Sequence, residues 1–217
     1  GKDTHVFAWD GVSFSVPADW NLSSYDYRGP VISVTLEDDE AVRLDVEWVR
    51  SKTRVELPLV AQRYARMSEK LQKSAACMEE MHGLPSGWMA FLYTMPDRRT
   101  LVTAFHVTHT GRLFCFVRVH GDGAMQKEPQ RLIRLIVSTF RTHEDVLIPW
   151  AFYDVAFSLR KEFHLASTAF LAGRKHMVFE WRLRRLYLWF FSLADVLLRE
   201  RRLEEWAADF LNHHKEL

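Results

Sequence analysis

The stretch DGVSFSVPADWNL at residues 10–22 returns 143 positions later as YDVAFSLRKEFHL at residues 153–165. At that offset Val12, Phe14, Ser15 and Leu22 meet Val155, Phe157, Ser158 and Leu165, Val16 meets Leu159, and Trp20 meets Phe163. Both stretches alternate apolar and polar residues, the period of a half-buried strand. A pattern that recurs at a fixed spacing points to one structural unit used twice. The sequence is therefore expected to hold a complete unit over residues 1–143, a connector at 144–149, and a partial second unit over 150–217 with four strands and a helix.

The order of elements in the first unit reads β-β-β-β-α-β-β-β-α. Val12, Phe14 and Val16 form one apolar face, and Pro17 and Asp19 end that strand. Alternating runs at 31–36 and 41–49 flank the acidic turn Glu37–Glu40, the signature of a hairpin. Val60, Ala61, Tyr64, Met67 and Leu71 then recur at helical spacing, predicting a helix over about 56–74 with Pro58 in its first turn. Three runs at 87–95, 100–109 and 112–120, joined by the turns PDRR and HTGR, predict an antiparallel meander. Pro129 opens a second helix whose stripe is Leu132, Ile133, Ile136, Val137 and Phe140.

The pattern restarts after the connector RTHEDVLIP (141–149), with strands expected at 153–159, 163–171, 175–181 and 185–192 and a helix at about 196–213. One inserted residue near Leu171 would align Gly29 with Gly173 and Val34 with Val178. No counterpart of residues 87–140 follows. A half-sheet leaves an edge and an apolar face that something must cover: a continuation of the chain, the first unit's sheet, or another chain.

The phrase FSVPADW, followed by an alternating hairpin, a helix, a three-strand meander and a closing helix before STFR, resembles the PsbP-like fold group. That group includes PsbP of the oxygen-evolving complex, the DcrB-like bacterial proteins and a small Ran-binding protein. The resemblance spans residues 6–142 in full and 150–215 in part; in the second unit Arg160 stands for Pro17 and Phe163 for Trp20. It implies an α+β fold in which an antiparallel sheet is sandwiched by helices. It also implies an accessory, Ran-binding or chaperone role in place of catalysis, although fold alone transfers no function.

The charge balance of 29 basic against 28 acidic residues gives no global field toward nucleic acid or anionic membrane. The longest apolar stretch, residues 186–198, contains Ser192 and Asp195 and falls short of the roughly 20 residues of a spanning helix. The expected location is the cytoplasm, and a chain starting at Gly1 leaves room for a removed targeting segment.

Ten histidines and two cysteines raise metal and nucleophile chemistry. His106 and His109 are three apart on a strand and face opposite ways, and His213 and His214 diverge by about 100° on a helix. His106, Cys115 and His120 are the set that neighbouring strands could bring together. Cys115, between Phe114 and Phe116, reads first as a small buried hydrophobe. The Gly-rich loop at 120–129 precedes a helix but carries Asp122 and Glu128, which repel phosphate. No catalytic, metal or cofactor residue is assigned.

The richest stretch is FEWRLRRLYLWFFSL at 179–193. If its turn preserves phase, Phe179, Trp181, Tyr187 and Trp189 share a face. Interleaved Arg and aromatic side chains fit single-stranded nucleic acid, a second core, or a protein partner. The partner reading makes Trp181, Arg182, Arg184, Arg185, Tyr187 and Trp189 the candidate contact residues. The function expected is a non-enzymatic interaction or accessory module, an adaptor or a chaperone, whose partner is another protein or a second copy of the chain. The opposing expectation is a small-molecule- or metal-binding enzyme with a His- or Cys-lined pocket.

Overall fold

The computed structural model describes residues 3–26, 31–50, 57–107, 113–122, 128–192, 194–199 and 201–213. The expected HTGR turn, His109, His214, Gly29 and residues 123–127 of the loop at 120–129 lie outside these residues. The fold is α+β, with mostly antiparallel sheets and a few helices. Two compact units divide the chain, Gly1–Leu159 and Arg160–Leu217. The expected division at 144–149 differs because that segment is not a connector. Residues Leu147–Phe152 form a strand that pairs into the first unit.

The first unit opens with the hairpin β1 (Thr4–Trp9) and β2 (Val12–Pro17), turned by Asp10 and Gly11, both at positive φ. β3 (Asn21–Asp26), β4 (Val31–Glu37) and β5 (Val42–Arg50) follow, then α1 (Leu57–Ser74). β6 (Cys77–Met81), β7 (Trp88–Thr94), β8 (Thr100–Val107) and β9 (Leu113–Gly121) lead to α2 (Glu128–Thr139). β10 (Arg141–Thr142), β11 (Leu147–Phe152) and β12 (Val155–Arg160) complete the strands that join its sheets. Five strands precede the first helix where four were expected, and β6 precedes the meander.

Strands β3-β4-β5-β9-β8-β7-β6 form a seven-stranded sheet, and β10-β2-β1-β11-β12 a five-stranded one. The larger sheet is sandwiched. On one face Tyr64 of α1 stacks on Phe114 and Phe116, with ring centroids 4.4 and 4.8 Å away. The other face carries His106 and Trp88, which meet Phe140 at the end of α2. That face is also covered by the five-stranded sheet, where Trp9 meets Tyr25 at 5.0 Å. Phe7, Trp9, Trp150 and Phe152 are each 1% exposed and form one aromatic cluster between the two hairpins. Burial of four such rings is a large apolar term, roughly 1.5–3 kcal/mol per fully buried side chain.

The second unit is a three-stranded antiparallel sheet, β13-β14-β15, of strands His164–Leu171, Arg174–Trp181 and Arg184–Phe191. The helix expected over 196–213 is broken into α3 (Ala194–Leu197) and α4 (Leu203–His213). The break falls at RERR, residues 199–202, four consecutive charged residues that offer no apolar side chain to pack, and most helical stability comes from packing. Arg201 and Arg202 reach instead toward Asp209 and Glu204.

Several registers coincide 143 positions apart. β3 pairs β4 through Asn21–Glu37 and Leu22–Leu36, then slips by a bulge before Ser24–Thr35. β13 pairs β14 through His164–Glu180 and Leu165–Phe179, then slips by a bulge before Ser167–Val178. Val34 and Met177 hold matching places, so the correspondence runs at constant offset, where the insertion near Leu171 would have matched Val34 to Val178. The hairpin β11–β12 spans the positions of β1–β2 at the same offset, and β1 pairs β11 at Ala8–Ala151.

Candidate functional site

The interleaved segment 179–193 builds β15 and the end of β14. A two-residue turn, Arg182-Leu183, joins them with Arg182 at positive φ. The turn fixes the register Trp181–Arg184, Phe179–Leu186, Val178–Tyr187, Met177–Leu188 and His176–Trp189. Paired residues of neighbouring strands share a face. Phe179 and Trp181 therefore lie with Arg184, Leu186, Leu188 and Phe190, whereas Tyr187 and Trp189 lie on the opposite face with Val178 and His176. The expectation of one shared aromatic face fails because a two-residue turn inverts the phase.

Each face has its own chemistry. On the Tyr187 face an aromatic ladder runs across the strands, with Trp189 stacked on His176 at 4.7 Å and Tyr187 at 5.8 Å from Trp189. α4 lies over its end, where Trp189 and Phe191 meet Phe210 at 5.4 Å and Phe191 meets Trp206 at 4.8 Å. On the other face the indole of Trp181 collects the guanidinium groups of Arg160, Arg182 and Arg184, 5.3, 5.6 and 5.5 Å from its ring. Arg185 pairs with Glu180 at 2.7 Å. Leu183 is fully exposed at the turn. The six candidate contact residues are thus split: Trp181, Arg182 and Arg184 gather at the turn, Arg185 bonds along its own face, and Tyr187 and Trp189 lie under the helix side.

β15 stands last in its sheet, with β14 on one side and no further strand of the described residues on the other. The strand in the matching place of the first unit, β5, has β9 at that flank. The match follows the registers: Val34 pairs Val46 and Met177 pairs Leu188, Ile32 pairs Trp48 and Lys175 pairs Phe190. Leu44, Val46 and Trp48 are 0% exposed, whereas Leu186, Leu188 and Phe190 remain half-buried.

The histidine and cysteine chemistry resolves differently. His106 lies directly across from Cys115, but His120 is five positions along β9 and faces away from both. The three do not converge. His106 Nδ1 lies 3.0 Å from the Gly87 carbonyl, and its ring stacks on Trp88. Cys115 is fully buried; desolvation, with the Glu47 carboxylate second, pushes its thiol far above the usual range, which disfavours the nucleophilic thiolate. Among the described residues no group of three or more His, Cys, Asp or Glu side chains could hold a metal ion.

His120 Nε2 instead lies 2.8 Å from Asp45, whose carboxylate also accepts from Thr35 Oγ1 at 2.9 Å and has Arg118 nearby. Desolvation pulls the Asp45 pKa upward, but these hydrogen bonds and charges outweigh it and hold it below the ordinary value. Beside this cluster a cavity of about 300 Å³ is lined by Trp20, Pro129 and Leu132 and by a carboxylate-rich rim. Arg43 holds that rim together, reaching Asp38 at 2.6 Å, Glu40 at 3.1 Å and Asp122 at 3.5 Å. Asp38 also caps the backbone N–H groups of Glu40 and Ala41. These contacts account for the acidic turn as a self-satisfied structural element. Arg43's role could not be read from local spacing, because it depends on the conformation of the β4–β5 turn and on the distant Asp122.

No helix among the described residues is long and apolar enough to cross a membrane. No protein-family model and no curated protein matches the sequence. A search of solved structures finds the solution structure of cyanobacterial PsbP (CyanoP) from Synechocystis sp. PCC 6803, 12% identical, with a TM-score of 0.44, covering 66% of this chain and 94% of that one. A likeness of that size carries no argument about activity or partners.

Proposed function

We propose that this chain is a non-enzymatic docking module, and that residues 147–213 are a second, partial copy of the unit that begins with β1. In this reading β15 takes the place of β5 and offers its outer edge to a partner. The observation that supports the reading is the pair of matching registers, bulge included, together with the fact that among the described residues no strand lies beside β15 where β5 has β9. Edge pairing supplies main-chain affinity, and alternate side-chain pockets supply choice of partner. The Trp181 arginine cluster lies at the start of that edge, and Arg and Trp are residue types favoured at binding hot spots. An adaptor or a holder of hydrophobic segments, as the DcrB-like resemblance implies, would use the same edge.

The test is the joint reversal of Arg182, Arg184 and Arg185 to Glu in the full chain. Thermal unfolding should change little, because all three are exposed. Capture of partners from the native source should fall at least tenfold. Unchanged capture, together with unchanged mass by light scattering, would sink the docking reading.

A further inference from the structure

Resting on that reading, we infer the chemistry of the partner: a donated extended strand, antiparallel to β15, with the apolar alternation of β9 and a carboxylate near its C-terminal end. The first unit contains the seat already filled. There Val119 lies opposite Leu44, Val117 opposite Val46, and Cys115 opposite Trp48. All six side chains are 0% exposed. Carried through the shared registers, those seats face Leu186, Leu188 and Phe190 of β15. The donated strand therefore places small or medium apolar residues at three alternate positions. Its intervening positions meet Tyr187 and Trp189, which replace Asp45 and Glu47 of the first unit. Phe116, opposite Glu47, would there face an indole, so an aromatic residue at that position gains a cross-strand aromatic partner.

The charge end is set by direction. An antiparallel partner finishes beside the beginning of β15, where Arg182, Arg184 and Arg185 stand; Glu180 pairs with Arg185, and Glu162 pairs with Arg160 of the same cluster. In the first unit Val42 occupies the place of Arg185, since Glu37 pairs Val42 as Glu180 pairs Arg185. Arg43 gives β5 a basic start as well, but there Asp38, Glu40 and Asp122 hold it; β15 begins with Arg184 and Arg185, with Arg182 in the turn before them, and this charge favours an acidic residue where β9 carries His120. A further observation is the lack of edge protection. Natural edges are guarded by charge or proline. β6, an outer strand of the seven-stranded sheet, is almost wholly exposed and carries Glu79 and Glu80. β15 has neither proline nor any charge after Arg185.

The experiment uses the full chain and three synthetic peptides: residues 113–121 with Cys115→Ser, the same peptide with His120→Glu, and a scrambled version of the latter. Binding is read by hydrogen exchange at residues 184–191 and by titration. We expect protection of β15, an affinity for the His120→Glu peptide several-fold above that of the His120 peptide at low salt, and convergence of the two as salt screens the pair. The scrambled peptide should leave β15 unprotected. Equal binding of the scrambled peptide, protection confined to residues outside 184–191, or a preference for the His120 peptide would overturn the inference. If no peptide protects β15 while the triple arginine reversal still abolishes partner capture, the docking reading stands and the strand-donor chemistry falls. Concentration-dependent protection of β15 without peptide, matched by a doubled mass, would assign the edge to a second copy and likewise overturn it.

Discussion

Ala8 stands opposite Ala151 across the β1–β11 pair, and the two residues hold the same place, 143 positions apart, in hairpins of equal span. An antiparallel pairing of equivalent positions is the mark of a local two-fold relationship. The side chains around it obey the same relation. Phe7 packs on Phe14 at 5.4 Å and Trp150 on Phe157 at 6.2 Å. Trp9 and Phe152 then meet each other across the middle.

That relationship makes Ala8 sensitive to size. It is 0% exposed on the face of β1 opposite the aromatic cluster, while Ala151 is only half-buried. Ala8→Leu should destabilise the protein by about 1–3 kcal/mol through overpacking, and Ala151→Leu by distinctly less. Urea unfolding of both variants checks this; equal losses would mean that the two sites are packed alike.

Gly121 faces a tighter limit. A Cβ there would fall 2.2 Å from Pro129 Cγ and 2.3 Å from Thr100 Oγ1. Gly121→Ala should therefore cost about 1–3 kcal/mol. Restoring space with Thr100→Ser is not expected to help, since the hydroxyl and the proline ring remain. The midpoint of chemical unfolding reads the effect.

Asp45 should contribute a definite acid limb to stability. Its folded-state pKa lies below the unfolded value of 3.8, so its contribution is complete above that pH and is lost as pH falls through the folded value. Unfolding free energies of the protein and of Asp45→Asn, measured from neutral pH to below pH 3, should converge at the acid end. A constant gap at every pH would mean that the carboxylate's charge contributes nothing.

The two cysteines should differ sharply toward a thiol reagent. Cys77 is exposed and Cys115 buried. Native protein should take one label, on Cys77, and a second only after denaturation, as intact mass and peptide mapping would report. Fast labelling of Cys115 in the folded protein would contradict its burial.

The alternating strands β4, β5 and β12 to β15 were legible because period-two apolar patterns survive wherever one face is wet, and β2 because its serines keep the alternation although Ser13 is buried. β1 was not, since Phe7, Ala8 and Trp9 are buried in succession and show no alternation. β6 has almost no buried residue, and β11 carries Pro149, so each lacked a signal of its own and owes its pairing to a neighbour. The candidate site was readable in composition but not in phase. Whether Tyr187 shares a face with Trp181 depends on the number of residues in the turn, which the register alone supplies. The Asp45–His120 and Arg43–Asp122 contacts join residues 75 or more positions apart, beyond the reach of local spacing.

The pairing of β1 with β11 also orders events in time. A ribosome adding roughly 5–20 residues per second needs on the order of ten seconds to pass from Ala8 to Ala151. Through that interval the first hairpin keeps a bare flank rich in tryptophan and phenylalanine. Contacts between such distant stretches form slowly. The nascent protein is therefore most exposed to misassociation, and most in need of a folding helper, just before residues 147–152 emerge.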